Sequence, residues 1–403
     1  MTKTSHQSPA GARDLLPLEV AQKRWIADRL REVFHRWGYR RIITSTLESM
    51  DTLMAGGALA RSTVIQLEDS SEGTLGLRPE LTASIARVAV TRMAGETFPQ
   101  RLYYSANVFR RSPKGDRGRQ IEFYQSGVEL LFSGGLLADA EILLVLAECL
   151  QNLGLEKWHL VLGEAGLTRS LLDAFPTPLQ EKVGFCLANL DRVALENLPL
   201  SPQLRDRALW LFDLRGKPED VLQQIAQFAP EEADTPSVQN LKSLVELLRE
   251  SASVPIPLML DLSSIETIDY YTGIVFSVVS ATNTQVLGKG GRYDRLLGLY
   301  HPQGENAPGV GFAVNLEALH ACLLSEPQLP RETPTSDWLV VPQTPQAATA
   351  AFRYAQKLRN SESEMRVELD LGGRPPEEIR DYARLCRISR IAWIDRDGTA
   401  AIE

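Results

Sequence analysis

RLYYSANVFRRSPKGDRGRQIEFYQSGVELL, Arg101 to Leu131, decides the fold. It reads as two long strands, Arg101 to Arg111 and Arg119 to Leu131, joined by SPKGDRG, whose turn formers and charges make a mobile hairpin tip. Gln125 and Glu129 are four residues apart on the second strand, so a period of two points both side chains the same way. Such a pair facing a pocket suits the two nitrogens of a flat heterocycle. The other reading is a solvated sheet face, and Phe123 and Gly127 do not decide between them. From Gly76 to Phe132, nine Lys or Arg stand against five Asp or Glu, a net +4 in a chain whose total is −8. Positive charge is concentrated here, and nucleotide phosphates are its natural ligands.

Outward from this hairpin, Ile26, Leu30, Val33 and Trp37 predict an amphipathic helix over Leu18 to Trp37, closed by Gly38 in a left-handed cap. Tyr39 to Thr44, Ser62 to Asp69 and Thr74 to Leu77 read as short strands of an antiparallel set. A second helix follows over about Leu81 to Met93. In LRPELTAS, Leu77 to Ser84, Glu80 and Thr82 place a carboxylate and a hydroxyl at a strand-to-helix turn, where they cap the helix or receive an ammonium group. Ala138 to Leu153 is a helix with one buried face. Leu-rich text broken by prolines from about Pro176 to Ala252 predicts an inserted helical subdomain. Strands resume at Ile256 to Leu262, Ile274 to Ala281 and Val310 to Val314. In IETIDYYTGIVF, Tyr270 and Tyr271 face opposite sides of a strand, so one can line a pocket while the other packs. GKGGRYDRLLG, Gly288 to Gly298, reads as a tight strand-to-helix turn and lacks the Gly and Lys placement of a phosphate loop.

These segments make residues 1–324 one core with the insertion at about 176–252, residues 325–336 a proline-rich linker, and residues 337–403 a small α/β domain. The 403 residues, 44% hydrophobic and 23% charged, are those of an ordinary globular protein of two to three domains. A net charge of −8 argues against broad adhesion to nucleic acid or anionic lipid. Four scattered cysteines and five histidines without ligand spacing predict no metal and reduced thiols. No export signal or 18-residue apolar run is present, which predicts a cytoplasmic protein without a membrane span.

Taken in order, GARDLLP (Gly11 to Pro17), the RPE-x-T segment, the hairpin with its FRR, DYYTG, GGRYD and the final strand and helix GVGFAVNLEAL resemble the catalytic core of histidyl-tRNA synthetase, a class II aminoacyl-tRNA synthetase. The resemblance runs from Gly11 to about Leu324 and implies an α+β fold, an antiparallel sheet flanked by helices. Residues 337–403 resemble an abbreviated anticodon-binding domain. It also implies a histidine pocket of Glu80 and Thr82 for the α-amino group, Gln125 and Glu129 for the ring and ammonium end, and Tyr270 and Tyr271. Arg110 matches the arginine that holds the α-phosphate and carboxylate, and Arg119 holds the basic position before the second strand. No cofactor is implied.

Three departures fall where that family's activation chemistry needs charge. The family reads FRxE where this chain has FRRS, so Ser112 replaces the acidic partner of adenine. Ala318 stands where an arginine clamps the triphosphate, and Glu266 where the catalytic arginine precedes the Asp of DYY by three residues. Adenylation builds negative charge between nucleophile and pyrophosphate, and deleting one preorganised donor costs about 10² to 10³ in rate. The expectation is no aminoacylation and no catalytic residue. Between Asp337 and Glu403, ten Lys or Arg meet eleven Asp or Glu, a poor footprint for tRNA.

A relative with the amino-acid pocket kept and activation lost resembles the regulatory-subunit family of ATP phosphoribosyltransferase. That resemblance implies a non-catalytic chain that associates with the short-form catalytic subunit in the first step of histidine biosynthesis. It implies feedback by L-histidine and a homodimer inside a hetero-oligomer. An active histidyl-tRNA synthetase and a stand-alone histidine sensor are the alternatives.

Overall fold

The computed structural model describes residue 8 and residues 11–56, 60–69, 73–111, 120–263, 271–282, 284–361 and 365–403. The chain divides into two compact units, Met1–Leu329 and Pro330–Glu403, and the break falls within the proline-rich stretch 325–336.

Nine described strands form the main sheet of the first unit, in the spatial order Arg40–Arg41, Gln100–Phe109, Glu122–Leu131, Gly309–Asn315, Val286–Arg292, Ile274–Ser280, Trp158–Glu164, Leu258–Asp261, Arg215–Gly216. Its six central strands are mutually antiparallel. The hairpin lies near one edge, with Gln100 opposite Leu131 and Phe109 opposite Glu122. The first helix, Pro17–Arg36, buries Ile26, Leu30, Val33 and Phe34, and Gly38 at φ +78° ends it. The Phe34 ring meets Tyr103 at 5.4 Å and Phe312 at 6.3 Å, which seats the helix on one sheet face beside Leu136–Asn152. The opposite face carries Leu102, Tyr104 and Val108 under the helix Thr82–Thr91 and Leu296–Tyr300.

Two expectations change. Arg40–Arg41 pairs in parallel with the main sheet, whereas Leu47–Ser49, Gly73–Leu77 and Ile65–Asp69 form a separate three-stranded sheet. The insertion is helical, but Val183, Leu187, Leu211, Val221, Leu241 and Leu248 share one core with the sheet residues Leu160, Leu162 and Leu260, and Arg215–Gly216 adds the last strand. It is therefore a lobe of the first unit without a core of its own. Gly288 to Gly298 holds the strand-to-helix turn read from the sequence, with the strand Val286–Arg292 leading into the helix Leu296–Tyr300, and its strand glycines permit the close contacts described below.

The second unit is a four-stranded sheet ordered Val367–Leu369, Trp338–Pro342, Arg390–Ile394, Ala400–Ile402, the first three parallel and the last antiparallel. Ala351 and Ala355 of the helix Ala348–Arg359 cover one face, and Ile379 and Ala383 of Pro376–Leu385 cover the other. Among the described residues no helix is long and apolar enough to cross a membrane.

Candidate functional site

A cavity of about 790 Å³ opens on the sheet face that carries Tyr104. Its floor is set by register. Glu129 stands opposite Leu102 and Gly311, Gly127 opposite Tyr104 and Ala313, and Gln125 opposite Ala106 and Asn315, so Gln125 and Glu129 share the cavity face. Glycines keep this floor low. A Cβ at Gly127 would lie 2.7 Å from the Tyr104 hydroxyl, one at Gly291 2.6 Å from the Tyr271 ring, and one at Gly311 would overlap Glu129 Oε2. Three large side chains lie flat on the sheet because three neighbours have none.

Glu129 is fully buried, and both oxygens are engaged by neutral donors: Thr82 Oγ1 donates to Oε1 at 2.7 Å, and the Tyr293 hydroxyl donates to Oε2. Burial pushes the carboxyl up to about 8; the Tyr293 and Thr82 hydrogen bonds offset part of this and the neighbouring Glu80 charge adds to it. Glu80 accepts from the backbone N–H of Thr82 and, at 3.0 Å, of Ala83. It caps the helix Thr82–Thr91 while lining the cavity, so the two readings of LRPELTAS coexist. Burial raises its carboxyl as well, and the Arg110 charge opposes the rise. The Tyr104 and Tyr271 phenols are pushed up by burial and then by the Glu129 charge, so both remain protonated near neutral pH.

Gln125 Oε1 is buried and accepts no hydrogen bond from any described residue. Leaving a buried acceptor unmet costs about 1–3 kcal/mol, which a ligand N–H relieves. Arg110 donates Nε to the Pro79 carbonyl at 2.7 Å, and its guanidinium lies 5.3 Å from the centre of the Phe123 ring. Glu317 accepts from Lys23 Nζ at 2.8 Å and from the Tyr124 N–H at 3.0 Å, which ties the first helix to the hairpin. Beside it, Ala318 presents only a methyl to the cavity.

Glu80, Thr82, Gln125, Glu129, Tyr271, Arg110 and Ala318 thus line one cavity. Tyr270, Arg119, Ser112 and Glu266, together with the hairpin tip, lie outside the described residues. Sequence reasoning missed Tyr104, Tyr293 and Lys289, which also line it. Tyr293 carries a signal in GGRYD, one of the motifs of the family resemblance; Tyr104 has no local signal, and only its register against Gly127 places it on the cavity floor. Chemically, the inner half offers carboxylate, amide and phenol oxygens, and it matches a small ligand that carries N–H donors and positive charge.

The family model for histidyl-tRNA synthetase matches residues 11–319. A curated protein of Gloeothece citriformis, "ATP phosphoribosyltransferase regulatory subunit", is 65% identical over 403 residues, covering 99% of each chain. The chain belongs to the ATP phosphoribosyltransferase regulatory subunit family. Another member, from Nostoc punctiforme, is 62% identical over 99% of both chains. Among solved structures, the "ATP phosphoribosyltransferase regulatory subunit/histidyl-tRNA synthetase" of Bacillus halodurans superposes with a TM-score of 0.80 at 26% identity, covering 97% of each chain. A histidyl-tRNA synthetase of Nostoc has the same fold, with a TM-score of 0.78 at 20% identity, covering 100% of this chain and 97% of its own. Members of the regulatory subunit family therefore carry a synthetase fold, and the Glu80–Glu129 cavity lies within the span matched by the synthetase model.

Proposed function

We propose that this chain is the regulatory subunit of ATP phosphoribosyltransferase in histidine biosynthesis, that it acts in the cytoplasm without a catalytic centre, and that its cavity holds L-histidine. Its partner is the short-form catalytic subunit, with two copies of this chain paired inside a hetero-oligomer. The observation that carries the ligand assignment is the set of unmet or cation-seeking acceptors on one floor: the orphaned Gln125 Oε1 beside the buried Glu129, with Glu80 next to them. An imidazole and an α-ammonium supply the N–H groups these oxygens seek. The names of relatives more than 60% identical over nearly the whole chain support the assembly.

Absence of activation chemistry belongs to the same reading. Ala318 gives the cavity wall no cation, and Ser112 and Glu266 remove two further groups that the synthetase family uses. Histidine is then held without being adenylated, and no tRNA is charged. Regulation follows from linkage: a ligand that binds one state of the assembly more tightly shifts its population, typically through about 1–3 kcal/mol of coupling.

The test is reconstitution. Mixed with the short catalytic subunit, the chain should switch on formation of phosphoribosyl-ATP, and added histidine should suppress it. Given ATP and histidine alone, it should release no pyrophosphate. Activity of the catalytic subunit that is indifferent to this chain refutes the regulatory role; histidine-dependent pyrophosphate release restores the synthetase reading.

A further inference from the structure

Behind the cavity floor, on the other face of the sheet, lies a buried cation. Arg292 ends the strand Val286–Arg292, and both its chain neighbours face the cavity: the Tyr271 ring lies over Gly291, and Tyr293 lines the wall. Alternation therefore sends the Arg292 side chain to the side covered by the helix Leu136–Asn152, where the residue is 6% exposed. Its Nε and Nη2 donate to Asp139 Oδ1 in the first turn of that helix, at 2.9 and 2.6 Å, and its Nη1 donates to Asp294 Oδ1 at 3.0 Å. The main chain around it is pinned as well. Thr272 N–H donates to the Arg292 carbonyl at 2.8 Å, the Asp294 N–H donates to Thr272 Oγ1 at 2.9 Å, and the Tyr293 N–H donates to the Gly309 carbonyl at 2.8 Å. Tyr293 is thus the residue between two clamped neighbours, and its hydroxyl donates to Glu129. A buried ion pair is a weak source of stability because desolvation offsets the attraction, so a cation held by two carboxylates points to a role in aiming its neighbour.

We propose that Arg292 is a positioning residue for ligand binding: clamped by Asp139 and Asp294, it fixes the Tyr293 hydroxyl on Glu129 and so holds that carboxylate in the orientation that meets the ligand's cation. The inference rests on the reading of the cavity as a histidine pocket, and it carries that site through the sheet to the helix Leu136–Asn152. Neither Arg292 nor Asp139 is among the described residues that line the cavity, so their effect on the ligand runs through Tyr293. The planar guanidinium fork is what the geometry uses, since two of its nitrogens serve one carboxylate and the third serves the other.

A double-mutant cycle read by calorimetric titration of the full chain with L-histidine tests this. Tyr293→Phe should lower histidine affinity by about tenfold to a hundredfold, the range of one hydrogen bond to a charged group. Arg292→Lys keeps the charge but loses the fork, and it should lower affinity by about tenfold, within the coupling seen between neighbouring residues. In the Tyr293→Phe background the same change should cost less than about twofold, because the hydroxyl it aims is already gone. Asp139→Ala, which acts from the far face and leaves Arg292 its Asp294 partner, should show the same loss and the same masking, and it carries the test if Arg292→Lys does not fold. A merely structural role would lower affinity equally in both backgrounds. A loss that persists undiminished in Tyr293→Phe, or parent-like affinity in the folded variants, overturns the inference and leaves the pocket intact. A parent chain that binds no histidine removes the pocket and this inference together.

Discussion

Glu129→Gln should yield a folded chain whose histidine affinity is down by about a hundredfold and whose unfolding temperature is raised at alkaline pH. The affinity loss follows from burial: removing one partner of a buried, hydrogen-bonded charge pair costs about 2–5 kcal/mol, because the ligand's cation is left facing an amide. The stability gain comes from the same carboxyl in the empty protein. Its native value, about 8, lies above the 4.5 of an unperturbed glutamate, so the fold favours the neutral form. That contribution is fully present below about pH 4.5 and is lost as pH rises to about 8, at roughly 1.4 kcal/mol per pH unit. The glutamine, always neutral, escapes the loss. Its amide oxygen can still accept from one of the Thr82 and Tyr293 hydroxyls, and its NH2 can donate to the oxygen of the other, so the fold survives. Calorimetric titration at pH 7.5 reads the first effect; melting curves at pH 5 and pH 8.5 read the second. Equal histidine affinity in the variant sinks the pocket, and an equal melting shift at both pH values sinks the account of the buried carboxyl.

Which parts of this site are legible before the structure depends on how far each residue's partner lies along the chain. The hairpin, the helix of Ile26, Leu30 and Val33, which ends just before Trp37, and the alternation of the C-terminal unit follow local periodicity, and their observed bounds differ from the reading by a few residues at most. Gln125 and Glu129 share a face by period alone; that this face is the cavity is fixed by strands nearly two hundred residues later, Gly309–Asn315 and Val286–Arg292. The Tyr293 hydroxyl donating to Glu129, 164 positions away, is invisible to any window of sequence. The insertion is helical as read, but what its helices pack on is not legible, for a related reason. Its prolines break helices into short pieces that look self-contained, yet their apolar faces are completed by Leu160, Leu162 and Leu260 of the sheet, so only the assembled core shows that the lobe shares its core with the sheet. Glu80 shows the converse limit, since one carboxylate serves as helix cap and cavity wall at once, and the sequence supports either role equally.

Gly311→Ala should match Glu129→Gln in lost histidine affinity, about a hundredfold, while removing no charge. The added methyl would overlap Glu129 Oε2 and lie 2.5 Å from the Val128 carbonyl. The carbonyl belongs to the strand Glu122–Leu131, paired at this point with Gly311 itself, so it cannot withdraw without parting the sheet. The carboxylate is the softer neighbour. Turning it away breaks the Tyr293 hydrogen bond and removes the acceptor from the floor. Overpacking of this kind costs about 1–3 kcal/mol. Because the strain is steric, the variant should be destabilised at pH 5 and at pH 8.5 alike, unlike Glu129→Gln, which gains only at the higher pH. Gly95, where a Cβ meets nothing within 4 Å, supplies the control: Gly95→Ala should change neither stability nor binding appreciably. Denaturant unfolding and histidine titration of the three variants separate steric from electrostatic causes. Parent-like histidine binding by Gly311→Ala would mean that the ligand does not depend on Glu129 lying flat against this strand, and the cavity floor would lose its role in recognition.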